Sequence, residues 1–177
     1  PILRIITNIS SDHMQILGNS LTKKKKKKAG IIKQNIPVVI GNYNDESKRV
    51  FKKKSLEMNA PLVYATTHFK LIYAKTTVDK LHCSILNIPA NKTLQIITDL
   101  AGIYQAQNIC TVLTAIECLK KTGYVIEDTI VSESLRQIKK ITGLRGRWDL
   151  LQTRPDVIID VGHNEDGIKN IVAQLGS

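Results

Sequence analysis

Residues 155–164 read Pro-Asp-Val-Ile-Ile-Asp-Val-Gly-His-Asn, a short apolar run that passes through a glycine into polar residues. The run is rich in β-branched residues and favours a buried strand, and residues 165–175 have the character of a helix. A strand, a glycine turn and a helix N-terminus together form a common anion or nucleotide site, because glycine lets the backbone approach the ligand closely. The stretch therefore predicts an α/β fold in which Asp160, His163 and Asn164 form a candidate site.

The same alternation of strand and helix continues upstream of this stretch. Predicted strands lie at residues 3–8, 37–41 and 61–65, and predicted helices at 20–32, 45–59, 103–123 and 127–141. This order favours an α/β protein whose mostly parallel sheet is flanked by helices. Short apolar runs at 71–73, 84–86 and 94–97 are typical of antiparallel strands, and we expect them at the edge of that sheet.

The net charge of the 177-residue chain is +11, which by itself suggests nucleic acid or an anionic surface as a partner. Six consecutive lysines, residues 23–28, carry more than half of this charge, and no aromatic residues are interleaved with them for stacking on bases. No stretch is long and apolar enough to span a membrane, and the three cysteines lack metal-ligand spacing. We therefore expect a cytoplasmic protein that binds neither nucleic acid nor membrane.

Three other groups of polar residues have the composition of a binding site, and each has a simpler explanation. Asp12 and His13 follow the first predicted strand, where a loop cap is the commoner role for such a pair. Asn108 lies in the polar start of the long predicted helix, where capping also favours polar residues. Arg147, between a glycine and a tryptophan, could hold a phosphate through two hydrogen bonds, although an exposed linker arginine is more common. The residues alone leave these alternatives open.

The order of the motifs along the chain is more specific than any one of them. The motifs are, in chain order, Thr-Asn-Ile at 7–9, Asp-His-Met at 12–14, Lys-Ala-Gly-Ile-Ile-Lys at 28–33, Gly-Ile-Tyr-Gln-Ala-Gln-Asn at 102–108, Gly-Arg at 146–147 and Asp-Val-Gly-His-Asn at 160–164. This series resembles the folylpolyglutamate synthase/dihydrofolate synthase family, a branch of the Mur ligase superfamily, over nearly the whole chain. Cell-wall Mur ligases share part of the pattern.

The resemblance implies a part of a two-domain ligase. Residues 1–143 would belong to the ATP-binding central domain of P-loop type, 144–149 to a linker, and 150–177 to the first strand and helix of a Rossmann-like C-terminal domain. It also implies an enzyme that uses ATP and Mg2+ to add L-glutamate to a carboxylate of folate or dihydropteroate through an acyl phosphate. We expect a monomer.

The resemblance assigns roles to residues at the centre of the reaction. His13 aligns with a metal-ligating histidine, although Mg2+ otherwise prefers oxygen ligands. Lys28 aligns with a lysine that the family carries as a carbamate, which turns a cation into an anion near the metal. Arg147 aligns with the linker arginine that reaches the phosphates, and His163 with a group close to the γ-phosphate.

The remaining assigned residues would contact the nucleotide. Asn108 aligns with the adenine-contacting end of the long helix, and Asp160 aligns with the ribose contact. Asn164 belongs to the same loop as Asp160 and is assigned to nucleotide binding with it.

Two features depart from the family pattern. The 177 residues contain neither the Gly-rich phosphate loop with its lysine and serine nor the metal-binding glutamate that follows it, so we expect the chain by itself to be inactive. Residues 23–28 are all lysine where the family has an amphipathic helix. We expect either an exposed, mobile segment or, the interpretation we favour, lysines that stand in for other residues of a regular helix with positions 24 and 25 in the core.

Two other functions remain open at this point. One is a Mur-type ligase that adds an amino acid to a cell-wall precursor. The other is a non-catalytic basic domain that binds anions or nucleic acid through its lysines.

Overall fold

The computed structural model describes residues 1–8 and 29–176, which form two compact units. The first unit comprises Pro1–Phe69 and Gln107–Tyr124, and the second comprises Lys70–Ala106 and Val125–Ser177. The predicted domain boundary at residue 143 stays a prediction. The predictions for the lysine run at 23–28 lie outside the described residues.

A three-stranded parallel sheet forms the centre of the first unit. It consists of β1 (Arg4–Ile6), β2 (Val38–Ile40) and β3 (Leu62–Tyr64), in that spatial order, with Ile6 opposite Ile40 and Ile40 opposite Tyr64. All three residues of β2 are fully buried, as expected for the central strand of a sheet covered on both faces. The three predicted strands and their parallel pairing are confirmed.

Helix α1 (Asp45–Glu57) follows β2 and closes one side of this core. Its first turn is fixed by a capping box, in which the Asn44 side chain accepts from the Ser47 backbone N–H and the Ser47 hydroxyl accepts from the Asn44 N–H, both at 2.9 Å. Phe51, one turn further on, is fully buried among the apolar residues of the sheet. The helix predicted at 45–59 is therefore confirmed.

The helix predicted at 20–32 lies mostly outside the described residues, and its predicted end is wrong. Ala29 is helical, but Gly30 and Ile31 form a turn, and the Ile32 N–H donates to the Ala29 carbonyl at 3.0 Å. Ile32 is nevertheless 1% exposed, because the turn directs it into the core of the first unit. The long helix predicted at 103–123 is present as α2 (Gln105–Lys121).

A second three-stranded sheet belongs to the second unit. It has the order β4 (Phe69–Thr76), β5 (Leu81–Asn87) and β6 (Lys92–Thr98), and β5 pairs with β6 in antiparallel fashion. These strands were expected at the edge of the parallel sheet, and that placement is wrong, since they form a sheet of their own. The physical reason is that long strands joined by short turns satisfy their backbone groups by pairing with one another.

The single helix predicted at 127–141 is divided into α3 (Asp128–Arg136) and α4 (Ile138–Thr142). Gln137, between them, has φ −131° and ψ 28°, which is not helical. The Asp99 carboxylate accepts from the backbone N–H groups of Ile138 at 3.1 Å and Lys139 at 2.9 Å. This distant carboxylate caps a new helix start, which explains the break.

The C-terminal part forms a two-stranded antiparallel sheet and a helix. The strands are β7 (Asp149–Gln152) and β8 (Val157–Ile159), and the helix is α5 (Glu165–Leu175). The predictions of β8 and α5 are confirmed, whereas β7 was not predicted. The Gln174 side chain links α5 to the chain before α2, because it accepts from the Ile103 N–H at 2.8 Å and donates to the Ala101 carbonyl at 2.9 Å. Within residues 1–8 and 29–176, no helix has the length and apolar character needed to cross a membrane.

Candidate nucleotide site

The Asp160 carboxylate, just after β8, joins three segments of the second unit. Its Oδ2 accepts from the Tyr104 hydroxyl at 2.5 Å and from the Trp148 backbone N–H at 2.9 Å. Its Oδ1 accepts from the Gly162 N–H at 2.8 Å. The carboxylate therefore fixes the segment before α2, the segment before β7 and the glycine turn after β8 relative to one another.

Tyr104 is held against this carboxylate by both packing and charge. A β-carbon on Gly102 would lie 2.6 Å from the Tyr104 ring, so the glycine makes room for the ring. Burial, reinforced by the hydrogen bond to Asp160, raises the pKa of Tyr104 well above its usual value. The charge of Arg147 acts on this pKa in the opposite direction, which places the guanidinium within electrostatic range of the phenol.

The residues on both sides of Arg147 are fixed by hydrogen bonds. The Gly146 N–H donates to the Asp149 carboxylate at 2.5 Å, and the Gly146 carbonyl accepts from the Val161 N–H at 2.9 Å. A β-carbon on Gly146 would overlap the Val161 side chain, and Gly146 has φ +70°. Trp148, held by Asp160, is buried and has φ +53°, which is uncommon for a residue with a bulky side chain. Arg147 itself is only half-buried, so its guanidinium can meet a ligand.

Asp149 and Lys139 form a mostly buried ion pair that contacts this segment through the Gly146 N–H and the Trp148 carbonyl. Their side-chain atoms Oδ1 and Nζ lie 2.5 Å apart, and the side chains are 5% and 20% exposed, respectively. Burial by itself raises the pKa of the Asp149 carboxyl, but the ion pair with Lys139 and the hydrogen bond from Gly146 outweigh it and hold the pKa below its usual value. Asp149 is therefore an anion in the folded protein at neutral pH.

The turn after β8 presents His163 beside the helix N-terminus. His163 Nδ1 lies 3.0 Å from the Val161 carbonyl oxygen, a contact that needs the proton on Nδ1 because a carbonyl only accepts. In the neutral imidazole this leaves Nε2 as an acceptor. A β-carbon on Gly162 would lie 2.7 Å from the Ile171 side chain, so the turn and α5 pack closely.

Asn164 has a structural role that its position alone did not show. It is the N-cap of α5, and its side-chain oxygen accepts from the Gly167 N–H at 2.7 Å. Helix capping therefore accounts for the Asn164 side chain in this structure. Its assignment to nucleotide binding stays a prediction.

The remaining predicted site residues lie either in the first unit or outside the described residues. Asn108 lies in the first turn of α2 and is counted with the first unit. His13 and Lys28, together with Asp12, lie outside the described residues. In the part of the chain that the structure describes, no group of three or more His, Cys, Asp or Glu side chains is arranged to hold a metal ion.

The cluster has the donors and acceptors that a nucleotide needs. Arg147 carries a fixed positive charge in a fork that matches phosphate oxygens. A carboxylate has about four lone-pair positions, and Asp160 uses three of them for Tyr104, Trp148 and Gly162, so one on Oδ1 can accept from a ribose hydroxyl. ATP therefore fits these residues by charge and by hydrogen-bonding capacity.

Sequence reasoning missed the residues that support Arg147. Asp149 lay at the end of the predicted linker, and Lys139 lay within a predicted helix among other lysines. Tyr104 belonged to a singled-out motif but had no role. Only for Tyr104 was there a signal, namely its place between a glycine and the start of a helix.

The family model for the Mur ligase middle domain matches residues 1–116, and the chain belongs to that family. This match agrees with the parallel sheet and flanking helices of the first unit. The class of the protein is thus that of the Mur ligases.

Among the Mur ligases, the chain is similar to folylpolyglutamate and dihydrofolate synthases. The dihydrofolate synthase/folylpolyglutamate synthase of Bacillus subtilis (strain 168) is 31% identical over 190 residues, covering 99% of this chain and 40% of that protein. The folylpolyglutamate synthase of Lacticaseibacillus casei is 28% identical over 184 residues, with the same two coverages of 99% and 40%. A solved FPGS–AMPPCP–folate complex has a TM-score of 0.84 and 25% identity, covering 99% of this chain and 42% of that chain.

These matches confirm the α/β fold and the resemblance that the motif order predicted. The chain spans about 40% of the length of the curated relatives it matches.

Proposed function

We propose that this chain is part of an ATP-dependent ligase that joins L-glutamate to a carboxylate of folate or dihydropteroate. The support comes from two relatives named as folylpolyglutamate or dihydrofolate synthases and from a similar structure named as a complex with AMPPCP and folate. Because those matches cover less than half of each relative, the substrates of the whole protein belong to the proposal.

The observation that carries the proposal is the hydrogen bond from the Trp148 N–H to Asp160, which holds the segment that carries Arg147 at this carboxylate. Arg147 would neutralise charge on the phosphates of ATP, and the free acceptor position of Asp160 would bind a ribose hydroxyl. His163, in the turn between β8 and α5, would lie near the terminal phosphate. Asn108 would contribute to adenine binding from the first turn of α2.

The proposed reaction has two steps, and its atoms balance. A folate carboxylate oxygen takes the γ-phosphoryl group of ATP, forming an acyl phosphate and releasing ADP. The amino group of glutamate then attacks the acyl carbon, forming the amide and releasing phosphate and a proton. Arg147 contributes to the first step by stabilising charge on the transferring group, as positive side chains do in other phosphoryl transfers.

Mg2+ is included in the proposal, with His13 as a ligand and Lys28, as a carbamate, near it. When bound, the ion would neutralise phosphate charge. We also propose a monomer in the cytoplasm. Cys83, Cys110 and Cys118 are all present as thiols, which agrees with a reducing compartment.

ADP release by the intact protein tests the proposed function. We expect ADP only when ATP, L-glutamate and either dihydropteroate or a reduced folate are all present, with each omission serving as a control. A UDP-linked muramoyl precursor, tested in place of the folate, should give no ADP above background. ADP formation with that precursor and none with either pterin substrate would assign the protein to the cell-wall branch instead.

The same preparation separates catalysis from simple anion binding. A non-catalytic basic domain would bind polyanions such as heparin or single-stranded DNA with a strong salt dependence, but would release no ADP under any substrate combination. That combined result would overturn the proposed ligase activity.

A further inference from the structure

One ion pair contacts the backbone on both sides of Arg147. Asp149 accepts from the Gly146 N–H at 2.5 Å, and Lys139 Nζ donates to the Trp148 carbonyl at 3.2 Å. The two side chains are joined to each other at 2.5 Å. The backbone on each side of Arg147 is therefore bound by one member of the ion pair, and the two members are bound to each other.

The lysine of this pair is itself fixed by a third residue. The Lys139 backbone N–H donates to Asp99 Oδ2 at 2.9 Å, and the Ile138 N–H donates to Oδ1 at 3.1 Å. Asp99 directly follows β6, so the contacts run from a regular sheet through the first turn of α4 to Gly146 and Trp148. The ion pair thus connects the Arg147 segment to the end of β6.

The backbone around Arg147 would not keep this conformation without support. Gly146 has φ +70° and Trp148 has φ +53°, and the second value is unfavourable for any residue with a side chain. Such conformations persist only where the surrounding contacts over-determine them. Here those contacts are the ion pair on one side and the Asp160 carboxylate on the other.

Burying an ion pair is a poor way to gain stability alone. Asp149 is 4% exposed, and taking a carboxylate and an ammonium out of water costs about as much as their attraction returns. A buried ion pair at this place is therefore better explained by the geometry it imposes, and the backbone that it contacts is that of Gly146 and Trp148, the two neighbours of Arg147.

We propose that Lys139 and Asp149 are positioning residues that fix the Arg147 guanidinium for the phosphates of ATP. This inference rests on the proposed function, because it assumes that Arg147 meets a nucleotide. Neither side chain touches the nucleotide in this proposal. Their effect reaches it only through the backbone of Gly146 and Trp148.

The test uses the intact protein with Asp149→Asn and Lys139→Met, and with Glu57→Gln as the matched control. Glu57 forms an ion pair with Lys54 at 3.0 Å on the surface of α1, so its loss removes an ion pair without touching the Arg147 segment. We expect Asp149→Asn and Lys139→Met to weaken AMPPCP binding, measured by calorimetry, and to lower kcat/KM for ATP by about tenfold or more, as small misplacements of a positioned group do. The KM for glutamate and all values for Glu57→Gln should stay unchanged.

Limited trypsin digestion gives a readout that needs no activity. Trypsin cleaves after arginine and lysine, and because Trp148 is buried, we expect the bond between Arg147 and Trp148 to be protected in the wild-type protein. Loss of the pair should increase the cleavage rate after Arg147 at a temperature where circular dichroism shows the variant folded. Unchanged cleavage and unchanged AMPPCP binding in both folded variants would overturn the inference.

A double-mutant cycle with Arg147→Ala separates positioning from general support. If the pair acts through Arg147, adding Asp149→Asn to Arg147→Ala should change AMPPCP affinity and kcat/KM for ATP no further. Equal effects of Asp149→Asn in both backgrounds would show a structural role only and would contradict the proposal. If Arg147→Ala alone changes neither quantity while ligase activity is intact, the nucleotide role of Arg147 fails, and this inference fails with it.

A variant with one buried charge left unpaired is at risk of unfolding. The double substitution Lys139→Met/Asp149→Leu removes both charges together and avoids that penalty. If the single variants do not fold, this double variant is measured instead, and the same loss of AMPPCP affinity is expected. Wild-type affinity in the folded double variant would refute the positioning role.

Discussion

Replacement of Tyr104 by phenylalanine removes one hydroxyl from the centre of the candidate site and leaves the ring in place. That hydroxyl donates to Asp160 Oδ2 at 2.5 Å, whereas the N–H groups of Trp148 and Gly162 continue to donate at 2.9 and 2.8 Å. A hydrogen bond to a charged group contributes about 1.5–3 kcal/mol to stability. Because Asp160 keeps two donors, we expect a loss of about 1.5 kcal/mol, or roughly 3–6 °C in Tm for a chain of this size.

Urea unfolding of the 177-residue chain measures this loss, with two probes. Circular dichroism follows the whole chain, and fluorescence follows Trp148, the single tryptophan, whose backbone N–H is bound to the same carboxylate. Tyr73→Phe is the control, because it makes the same chemical change at a side chain on β4 that is 55% exposed. Equal unfolding free energies for the two variants would refute the hydrogen-bonding role of Tyr104.

The difference in unfolding free energy between wild type and Tyr104→Phe should also depend on pH. The raised pKa of Tyr104 fixes the sign of that dependence. In the unfolded chain the phenol loses its proton near 10.0, whereas in the folded protein burial, followed by the bond to Asp160, keeps it protonated to higher pH. The stability that Tyr104 contributes is therefore complete below pH 10 and is lost as the pH rises above it. The gap between wild type and Tyr104→Phe should narrow by about 1.4 kcal/mol per pH unit there, and a constant gap would contradict this account.

Three further predictions follow from core packing, backbone geometry and thiol chemistry. Phe51→Ala should cost about 3–5 kcal/mol in urea unfolding, since Phe51 is fully buried, whereas Leu56→Ala on the same helix, 73% exposed, should cost under about 0.5 kcal/mol. Gly146→Ala should lower the unfolding free energy more than Gly143→Ala. The φ values of +70° and +68° give similar backbone strain, but only a β-carbon at position 146 meets another side chain, that of Val161. Equal losses of stability in urea unfolding would contradict a destabilising contact with Val161. Cys110 should react with iodoacetamide at pH 8 far more slowly than an exposed thiol, with its rate rising towards its pKa of about 11, as followed by mass spectrometry; rapid reaction at pH 8 would contradict its burial.

The strands and helices whose signals are local could be predicted from the sequence. The β-branched runs of β1, β2 and β3 alternate with helices, and this order is sufficient to predict a parallel sheet. The cap at Asn44 and the apolar spacing of α2 likewise depend on residues a few positions apart. In each case neighbouring residues supply the interaction that fixes the element.

The elements that were predicted wrongly depend on partners far away in the chain. The break at Gln137 requires Asp99, whose carboxylate binds N–H groups 39 and 40 residues further on. The separate β4–β6 sheet depends on which strands pair, and apolar runs do not specify their partners. Strand β7 is short, and it is a strand because β8 pairs with it.

The sequence by itself determined the order of the motifs, the family resemblance and the candidate residues Arg147 and Asp160. Each of these depends on residue type and position along the chain, which folding does not change. Only the tertiary structure decided which residues bind Asp160 and the backbone beside Arg147. Tyr104 and Asp160 are 56 residues apart, and the Lys139–Asp149 pair joins α4 to β7. Such contacts exist only after the hydrophobic core has brought distant segments together, and a linear pattern of side chains does not encode their distances.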